Sequence, residues 1–108
     1  MTKSPGKKPT DSPSSHEAHF NALFDAFLQL KNRDECRRFM QDLCTPAEIL
    51  AFAERWRVAR MLEEHDFSYH EIHEKTGVSI TTIGRVARFL KQEPYHGYQL
   101  VMQRLKTR

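Results

Sequence analysis

One face of a predicted helix carries the side chains best suited to contact another molecule. Its members follow the spacing i, i+3, i+4 and i+7, which places them on one side of a helix: Thr81, Gly84, Arg85 and Arg88. An arginine can bond a guanine edge through two nitrogens, and a threonine can bond bases or phosphates. A glycine among them would allow a close approach of the partner. Taken alone, this face favours ordinary solvated arginine side chains. On the second helix of a helix-turn-helix, the pattern argued below, it predicts a surface that reads duplex DNA.

Two serines stand where helices would begin, and each could contact a DNA backbone. Ser68 and Ser79 can accept a hydrogen bond from a backbone N–H of the first helical turn, which is the role of an N-cap residue. Helix N-termini also attract phosphates through their unpaired N–H groups and the helix dipole. Ile80, next to the second serine, can contact thymine methyl groups. These three residues extend the predicted DNA surface.

The sequence around these serines predicts a helix-turn-helix over residues 68–91. Ser68 and Glu71 have the spacing of a capping box, so a helix should begin there. Gly77 follows, and glycine adopts the positive φ of a sharp turn without the steric cost that other residues bear. Apolar residues that would pack the first helix and the turn against the second are Ile72, Val78, Ile83 and Val86. The predicted inward positions of the second helix are Ile83, Val86, Ala87 and Leu90.

The remainder of the chain also has the periodicity of helices. From His16 onward the helical spacing of apolar residues is continuous, and no alternating strand pattern competes with it. Two apolar stripes come first, separated by a polar break, and Asp34 is the expected cap of the second helix. A further stripe lies near the C-terminus. With the segments described above and below, this pattern predicts an all-α fold of about six helices.

A third helix should begin strongly at residue 46. Thr45 and Glu48 have the spacing of a second capping box, and Pro46 suits the first helical position, where its missing N–H would be unpaired anyway. The helix should run to about Glu64. Its apolar residues cover much of its circumference, which is typical of a helix enclosed on more than one side. In so short a chain, a second subunit could supply the missing wall.

Composition limits the class of protein. A chain of 108 residues suits one domain, over residues 16–108, and its net charge of +3 permits a polyanionic partner. Residues 1–15 are rich in Ser, Pro and Lys, so we expect a disordered tail. No apolar run reaches the roughly 20 residues that span a bilayer, and no secretory signal is present, which predicts a cytoplasmic protein without a membrane partner. Cys36 and Cys44 fall on an apolar stripe, so buried, reduced thiols are expected.

Catalytic and metal-binding patterns are missing from the sequence. His70 and His73 would share a helix face and His65 lies nearby, but no cysteine or acidic residue completes a persuasive set of ligands. No phosphate-binding glycine loop, nucleophile elbow or pair of catalytic carboxylates occurs. We therefore expect neither a metal site nor enzymatic activity.

Three segments together resemble the Trp repressor superfamily and, within it, the small branch of Trp-repressor-related proteins of the YerC/YecD type. They are TPAEI with the R-x-R-V-A-x-x-L of residues 55–62, SYHEIHEKTGVSITTI, and RVARFL followed by Gly97 and Tyr98. The resemblance covers residues 16–108. It implies an interlaced homodimer in which the N-terminal helices of each subunit wrap the other. It also implies that two recognition helices enter successive major grooves of an operator with twofold symmetry.

The resemblance further implies an effector pocket between the third helix and the recognition helix. Residues that match the family's types at pocket positions are Thr45, Arg55, Thr82 and Arg85. Val86 and Phe89 stand where the repressor has glycine and serine, so their bulk should fill the space that an indole ring needs. We therefore predict no cofactor, and specifically that free tryptophan is not the co-repressor. Arg55 and Arg85 could instead bond carboxylates or a different ligand, and a DNA-binding regulator with no effector at all is a further alternative.

Two histidines complete the implied DNA surface. His70 and His73 occupy positions where the repressor carries basic, phosphate-contacting residues. Because a neutral histidine attracts phosphate less, DNA affinity is expected to rise at acidic pH; the alternative is that the two histidines are exposed and have no role. The predicted DNA-binding residues are Ser68, His70, His73, Ser79, Ile80, Thr81, Thr82, Gly84, Arg85 and Arg88.

The pattern as a whole favours a sequence-specific DNA-binding transcriptional regulator. We expect a repressor that acts as a homodimer on a palindromic operator, with double-stranded DNA and a second copy of the chain as its partners. The alternative is a helical protein-interaction module without sequence-specific DNA binding. A salt titration separates the two, because counterion release makes DNA binding weaken steeply as salt rises.

Overall fold

A computed structural model of the chain describes residues 13–107, and this part contains six α-helices and no strand. The helices are α1 (Pro13–Phe27), α2 (Arg33–Leu43), α3 (Pro46–Glu64), α4 (Tyr69–Thr76), α5 (Ile80–Lys91) and α6 (Gly97–Lys106). The all-α fold and the helix count are therefore confirmed. Of the tail expected to be disordered, residues 1–12 lie outside the described part of the chain, and α1 already begins at Pro13.

Helices α1 and α2 belong to one compact unit, and α3 to α6 form another. In the first unit, the rings of Phe27 and Phe39 meet edge to face with their centroids 5.3 Å apart. The prediction that Asp34 caps α2 is wrong. The side-chain oxygen of Asn32 instead accepts from the Glu35 backbone N–H at 2.9 Å. Asn32 directly precedes α2 and therefore occupies the N-cap position. Asp34 lies inside the first turn, with its carboxylate 3.7 Å from the guanidinium of Arg38.

The start of α3 follows the predicted capping box. The Glu48 backbone N–H donates to the Thr45 hydroxyl at 3.1 Å, and the Thr45 N–H donates to the Glu48 carboxylate at 2.8 Å. The helix ends at Glu64, as expected from the sequence. Leu50 and Phe52 remain 59% and 45% exposed in the single chain. This part of α3 thus presents an apolar surface to solvent.

The core of the second unit lies where α3, α4, α5 and α6 meet, and α5 packs against each of the other three. The four inward positions predicted for α5 are all buried: Ile83, Val86, Ala87 and Leu90. They pack with Val58 of α3, Ile72 of α4 and Met102 of α6. Because one side of α5 is taken up by this core, the predicted DNA face is left on its solvent side.

The two cysteines differ in exposure. Cys36 is exposed and Cys44 is half-buried, so the prediction of two buried thiols is wrong. Helix α2, which contains Cys36, has no buried residue because its apolar stripe is not covered. Within residues 13–107, no helix combines the length and the apolar character needed to cross a membrane.

Candidate nucleic-acid interface

The predicted turn between two short helices is present and is closed by a capping box and a glycine. The Glu71 backbone N–H donates to the Ser68 hydroxyl at 3.1 Å, and the Ser68 N–H donates to the Glu71 carboxylate at 2.8 Å, which starts α4. The helix ends at Gly77, whose φ of 77° lies in the left-handed region. The Gly77 N–H donates to the His73 carbonyl oxygen at 2.8 Å. The chain can therefore reverse sharply before α5.

The capping bonds also shift the acidity of one carboxyl group. Hydrogen bonding from the Ser68 backbone N–H, and then from the Ser68 hydroxyl, holds the pKa of Glu71 below its ordinary value. Lys75 and His70 act in the same direction through their charge. The ionised form of Glu71 is thus the one that stabilises the start of α4.

Side chains at the end of α4 hold the chain on both sides of Gly77. The Thr76 hydroxyl donates to the Ile72 carbonyl oxygen at 2.7 Å and accepts from the Val78 N–H at 3.0 Å. His73 Nδ1 lies 2.8 Å from the Val78 carbonyl oxygen. Because a carbonyl oxygen only accepts, Nδ1 must carry the proton, and Nε2 of the neutral ring then has none. A neutral His73 therefore cannot donate to a phosphate while it keeps this bond, whereas the protonated ring can.

Helix α5 places most of the predicted base-reading residues on its solvent side. Its first turn is capped by Ser79, whose hydroxyl accepts from the Thr82 N–H and donates to the Thr82 hydroxyl, both at 3.1 Å. Thr82 and Gly84 are half-exposed, and the exposed residues of this surface are Ile80, Thr81, Arg85 and Arg88. Five of the six α5 residues predicted for DNA contact therefore share one surface, which we call the α5 face: Ile80, Thr81, Gly84, Arg85 and Arg88. The sixth, Thr82, lies beside it with its hydroxyl bonded to Ser79.

Gly84 sits in the middle of the α5 face with open space beside it. A Cβ atom built on Gly84 would have no neighbouring heavy atom within 4 Å. Its φ is not in the left-handed region, so the backbone does not require glycine at this position. Neither the fold of the single chain nor the local backbone therefore explains why a glycine, a poor helix former, occupies this position.

The arginines of the α5 face interact with a neighbouring ring. The guanidinium carbon of Arg85 lies 4.4 Å from the centroid of the Phe89 ring, and that of Arg88 lies 5.2 Å from it. Arg88 also donates through Nε–H to the Glu93 carboxylate at 2.9 Å. Glu93 was not identified from the sequence, because it lies beyond the end of α5, where periodicity no longer indicates which side chains meet.

His70 and Ser68 lie near the start of α4, on its exposed surface. The His70 side chain is 78% exposed, and its Nε2 lies 3.6 Å from the Glu74 carboxylate. The rings of His70 and His73 have their centroids 6.5 Å apart. Of the two histidines predicted to contact phosphate, His70 is therefore open to solvent, while His73 is half-buried and bonded into the turn.

A cavity of about 310 Å³ lies between α3, α5 and the segment that joins α5 to α6. Its lining residues are Arg55, Arg85, Val86, Phe89, Tyr95, Gly97 and Tyr98. Three predicted pocket residues are among them: Arg55, Arg85 and Phe89. The structure does not place Thr45 or Thr82 in the cavity wall; the Thr45 hydroxyl caps α3, and the Thr82 hydroxyl accepts from the Ser79 hydroxyl. Val86 and Phe89 form part of the wall, and a small cavity remains beside them.

The other wall of this cavity was missed from the sequence. Tyr95 stacks on Phe89 with an angle of 12° between the rings and centroids 6.2 Å apart, and Tyr98 stacks on Trp56 at 6.3 Å. Between the two tyrosines, His96 has a φ of 56°, the one positive value among the described residues other than glycine. The signal that could have found this wall is the aromatic cluster directly after Pro94, which the sequence shows without indicating its contacts.

In the described part of the chain, His65, His70 and His73 do not form a cluster that could hold a metal ion. Among the residues whose placement is described, no group of three or more His, Cys, Asp or Glu side chains could hold a metal ion.

Comparison with known proteins places this geometry in one family. The family of the Trp repressor protein matches residues 18–106. The uncharacterized protein YerC of Bacillus subtilis is 45% identical over 84 residues, which cover 78% of this chain and 79% of that protein.

Two solved structures are similar to the chain along most of its length. The first is the crystal structure of a "putative Trp repressor" from Staphylococcus aureus, with a TM-score of 0.76 and 38% identity over 82% of this chain and 87% of that one. The second is a TrpR-like protein from Eubacterium eligens, with a TM-score of 0.72 and 42% identity over 89% of this chain and 92% of that one. With the family match extending across the helix-turn-helix and its supporting helices, the chain belongs to the Trp repressor family.

Proposed function

We propose that the protein is a sequence-specific DNA-binding transcriptional regulator that acts as a repressor in the cytoplasm, without a catalytic step. The observation that carries this proposal is the two-sided character of α5. One side is buried in the core, and the other presents Thr81, Arg85 and Arg88 around the open position of Gly84. In a helix-turn-helix, that solvent side is the one that enters the major groove.

The distribution of charge supports a polyanionic partner for the same region. From Lys75 to the C-terminus, the sequence contains seven lysines and arginines and a single acidic residue, Glu93. Positive charge concentrated around a recognition helix provides the phosphate contacts that supply much of DNA affinity. The helix N-termini at Ser68 and Ser79 add backbone N–H groups and dipoles directed toward a phosphate.

A homodimer is part of the proposal because a single chain leaves large apolar side chains in solvent. Phe20, Phe24 and Leu28 of the α1 segment are 51%, 57% and 78% exposed. Leu50 and Phe52 of α3 and Leu100, Val101 and Leu105 of α6 are also exposed to between 45% and 59%. Apolar surface on this scale marks an interaction site on a small soluble protein. We propose that a second copy of the chain covers it, as in the interlaced dimer of the family.

Such a dimer would present two α5 faces related by twofold symmetry, and it would therefore recognise a palindromic operator. The cavity beside Arg55, Arg85 and Phe89 is where we place a small-molecule effector, with an anionic group for the two arginines. The arginines are the reason for that choice, because guanidinium groups bind carboxylates and phosphates through paired N–H donors.

The proposal is tested by selecting bound sequences from a pool of random duplexes and measuring the affinity of the enriched site. A DNA regulator should enrich a palindrome and bind it at least about a thousandfold more tightly than random DNA, with affinity falling steeply as salt rises. Failure to enrich any motif, together with salt-insensitive binding to another protein, would favour the helical protein-interaction module instead. The variant Arg88→Ala should keep the fold and lose the preference for one base of the motif. Its binding to the enriched site should weaken by roughly 1–3 kcal/mol.

A further inference from the structure

The acidic residue directly after α5 stands out in a basic region. Glu93 is the only carboxylate side chain between Lys75 and the C-terminus of the sequence. A negative charge at this place opposes DNA binding, since the phosphates of a docked duplex would repel it. Neither the core nor a helix cap requires it, because α5 ends at Lys91 and the Gln92 N–H satisfies the Arg88 carbonyl oxygen at 2.8 Å.

The local backbone directs Glu93 toward Arg88. The Glu93 N–H also donates to the Arg88 carbonyl oxygen, at 3.1 Å, so the chain folds back over the last turn of α5. The Glu93 carboxylate then accepts from Arg88 Nε–H at 2.9 Å. This distance is shorter than the 3.6 Å between Arg60 and Glu64 on α3, and the Glu93 side chain is only 27% exposed. Backbone and side chain of one residue thus both bond Arg88.

We propose that Glu93 lowers the affinity for DNA by occupying the Arg88 Nε–H in the free protein, so that a duplex must displace the carboxylate before it can use this donor. This inference rests on the proposed DNA-binding function. The carboxylate takes a donor, Nε–H, that a phosphate or a guanine edge would otherwise accept from. Any duplex that bonds Arg88 Nε–H, through a phosphate or through a base, must first break this pair. Glu93 therefore weakens DNA binding by up to the free energy of the pair.

The expected size of the effect follows from the exposure of the pair. The Arg88 side chain is 58% exposed, so solvent screens the attraction and the pair is a modest competitor. Neutralising Glu93 should tighten binding to random duplex by roughly 1.5- to 5-fold, which is the range for an exposed ion pair. If Arg88 then neutralises one more phosphate, the slope of log affinity against log salt should steepen by about 0.9.

The test measures binding of a random-sequence duplex by fluorescence anisotropy across a salt series, using the full chain and Glu93→Gln. Glutamine keeps the shape of the side chain and removes its charge. The matched control is Glu64→Gln, which makes the same charge change at another exposed Arg–Glu pair. We expect the tighter binding and steeper slope for Glu93→Gln but not for Glu64→Gln. In an Arg88→Ala background, Glu93→Gln should leave the slope unchanged and tighten binding clearly less, because only the repulsion between Glu93 and the phosphates is then removed. Arg88→Gln provides a second background should Arg88→Ala not fold.

Four results would overturn the inference. Equal tightening by Glu64→Gln, or an undiminished effect of Glu93→Gln without Arg88, would show that net charge alone is responsible. If the Arg88 Nε–Hε NMR resonance is the same in the free parent and the free Glu93→Gln protein, the pair does not form in solution, irrespective of the DNA measurements. Absence of salt-dependent duplex binding by the parent chain would instead reject the proposed function itself, and the inference with it. The NMR measurement, made without DNA, separates the last two failures.

Discussion

The guanidinium carbon of Arg85 lies 4.4 Å from the centroid of the Phe89 ring, one turn further along α5. This contact joins two sites, because Arg85 belongs to the exposed α5 face and also lines the cavity whose wall includes Phe89. A molecule that entered the cavity and moved the Phe89 ring would therefore disturb a predicted base-reading side chain directly. The single side chain of Arg85 would then connect the effector to the DNA, without any intermediate residue.

Arg85→Lys tests the role of the planar guanidinium on the α5 face. Lysine keeps the positive charge but lacks the fork that binds a guanine edge through two nitrogens, so it should weaken the selected operator by roughly 1–3 kcal/mol. Binding to random duplex should change by less than about twofold, because the phosphate attraction depends mainly on charge. Parallel titrations with both duplexes measure the two effects. An equal loss on both would mean that Arg85 contacts only the DNA backbone.

Gly84→Ala separates the needs of the fold from those of the proposed interface. The added methyl group meets no atom within 4 Å, and alanine is the better helix former, so the free energy of unfolding should rise by about 0.5–1 kcal/mol. If DNA approaches closely here, operator affinity should fall at least about fivefold, which corresponds to roughly 1 kcal/mol of steric strain. Urea denaturation and operator titration give the two numbers. A variant that is more stable and binds as well as the parent would mean that DNA does not approach at Gly84.

The parts of this fold that sequence predicts are those determined by local spacing. The capping boxes at Thr45 and Ser68, and the four inward positions of α5, follow from residues within one or two helical turns of each other. The wrong cap at α2 shows the limit of this approach. Asn32 and Asp34 both suit the role, and choosing between them requires the backbone position at which the helix begins.

The parts of the site that sequence did not reveal depend on irregular chain. Glu93 reaches Arg88, and Tyr95 reaches Phe89, only because the segment after α5 folds back. The left-handed backbone at His96 belongs to the same segment and has no reliable signal in a non-glycine residue. Side-chain contacts across such a turn cannot be read from periodicity, since the turn has none. Arg85 and Arg88 were identified as site residues from their chemistry. Their contacts with Phe89 and Glu93 could be found only in the structure.

The proposed dimer predicts a strong effect of charge in the apolar stripe of α1. Phe24 is 57% exposed in the single chain, so Phe24→Glu should not disturb a buried core. In a dimer that covers the exposed part of this side chain, each copy would lose about 1–2 kcal/mol of apolar burial, which should raise the dimer Kd at least about thirtyfold. Sedimentation equilibrium measures this change. The matched control, Ala22→Glu, adds a negative charge at an exposed position on the opposite side of α1 and should leave the dimer intact. A parent chain that sediments as a monomer would refute the dimer.

The capping box of α4 predicts a stability that depends on pH. The pKa of Glu71 is lowered in the folded protein, so its ionised form stabilises the fold above the pKa of the unfolded chain. This stabilisation is lost as pH falls through the lower, folded pKa. Glu71→Ala should therefore be less stable than the parent at neutral pH, and the difference should disappear in acid. Ser68→Ala removes the other half of the box and should cost about 0.5–2 kcal/mol at neutral pH. Urea denaturation of the parent and the two variants at neutral and at acidic pH measures these differences, and a Glu71→Ala deficit that persists in acid would contradict the role of the ionised carboxylate.

The cavity of the parent chain is predicted not to bind tryptophan. Val86 is 1% exposed. The half-buried Phe89 ring contacts the Arg85 guanidinium and stacks on the Tyr95 ring. We predict that calorimetry with the parent chain gives no saturable heat with tryptophan up to about 1 mM, a binding free energy weaker than roughly −4 kcal/mol. The bulk of these two side chains in the cavity wall is the physical reason.

The complementary variant restores the small residues that the family's repressor carries at these two positions. Val86→Gly combined with Phe89→Ser should enlarge the cavity of about 310 Å³ toward the core and against Arg85, so that an indole ring can enter. We expect this variant to gain measurable tryptophan binding, while Phe89→Ser alone gains less, because the buried Val86 still narrows the inner end. Circular dichroism must show that the double variant remains helical, since glycine at a buried position of α5 lowers stability. Micromolar binding by the parent would show instead that the Phe89 ring moves aside for the ligand, and Arg85 would then be the side chain through which tryptophan controls the DNA face.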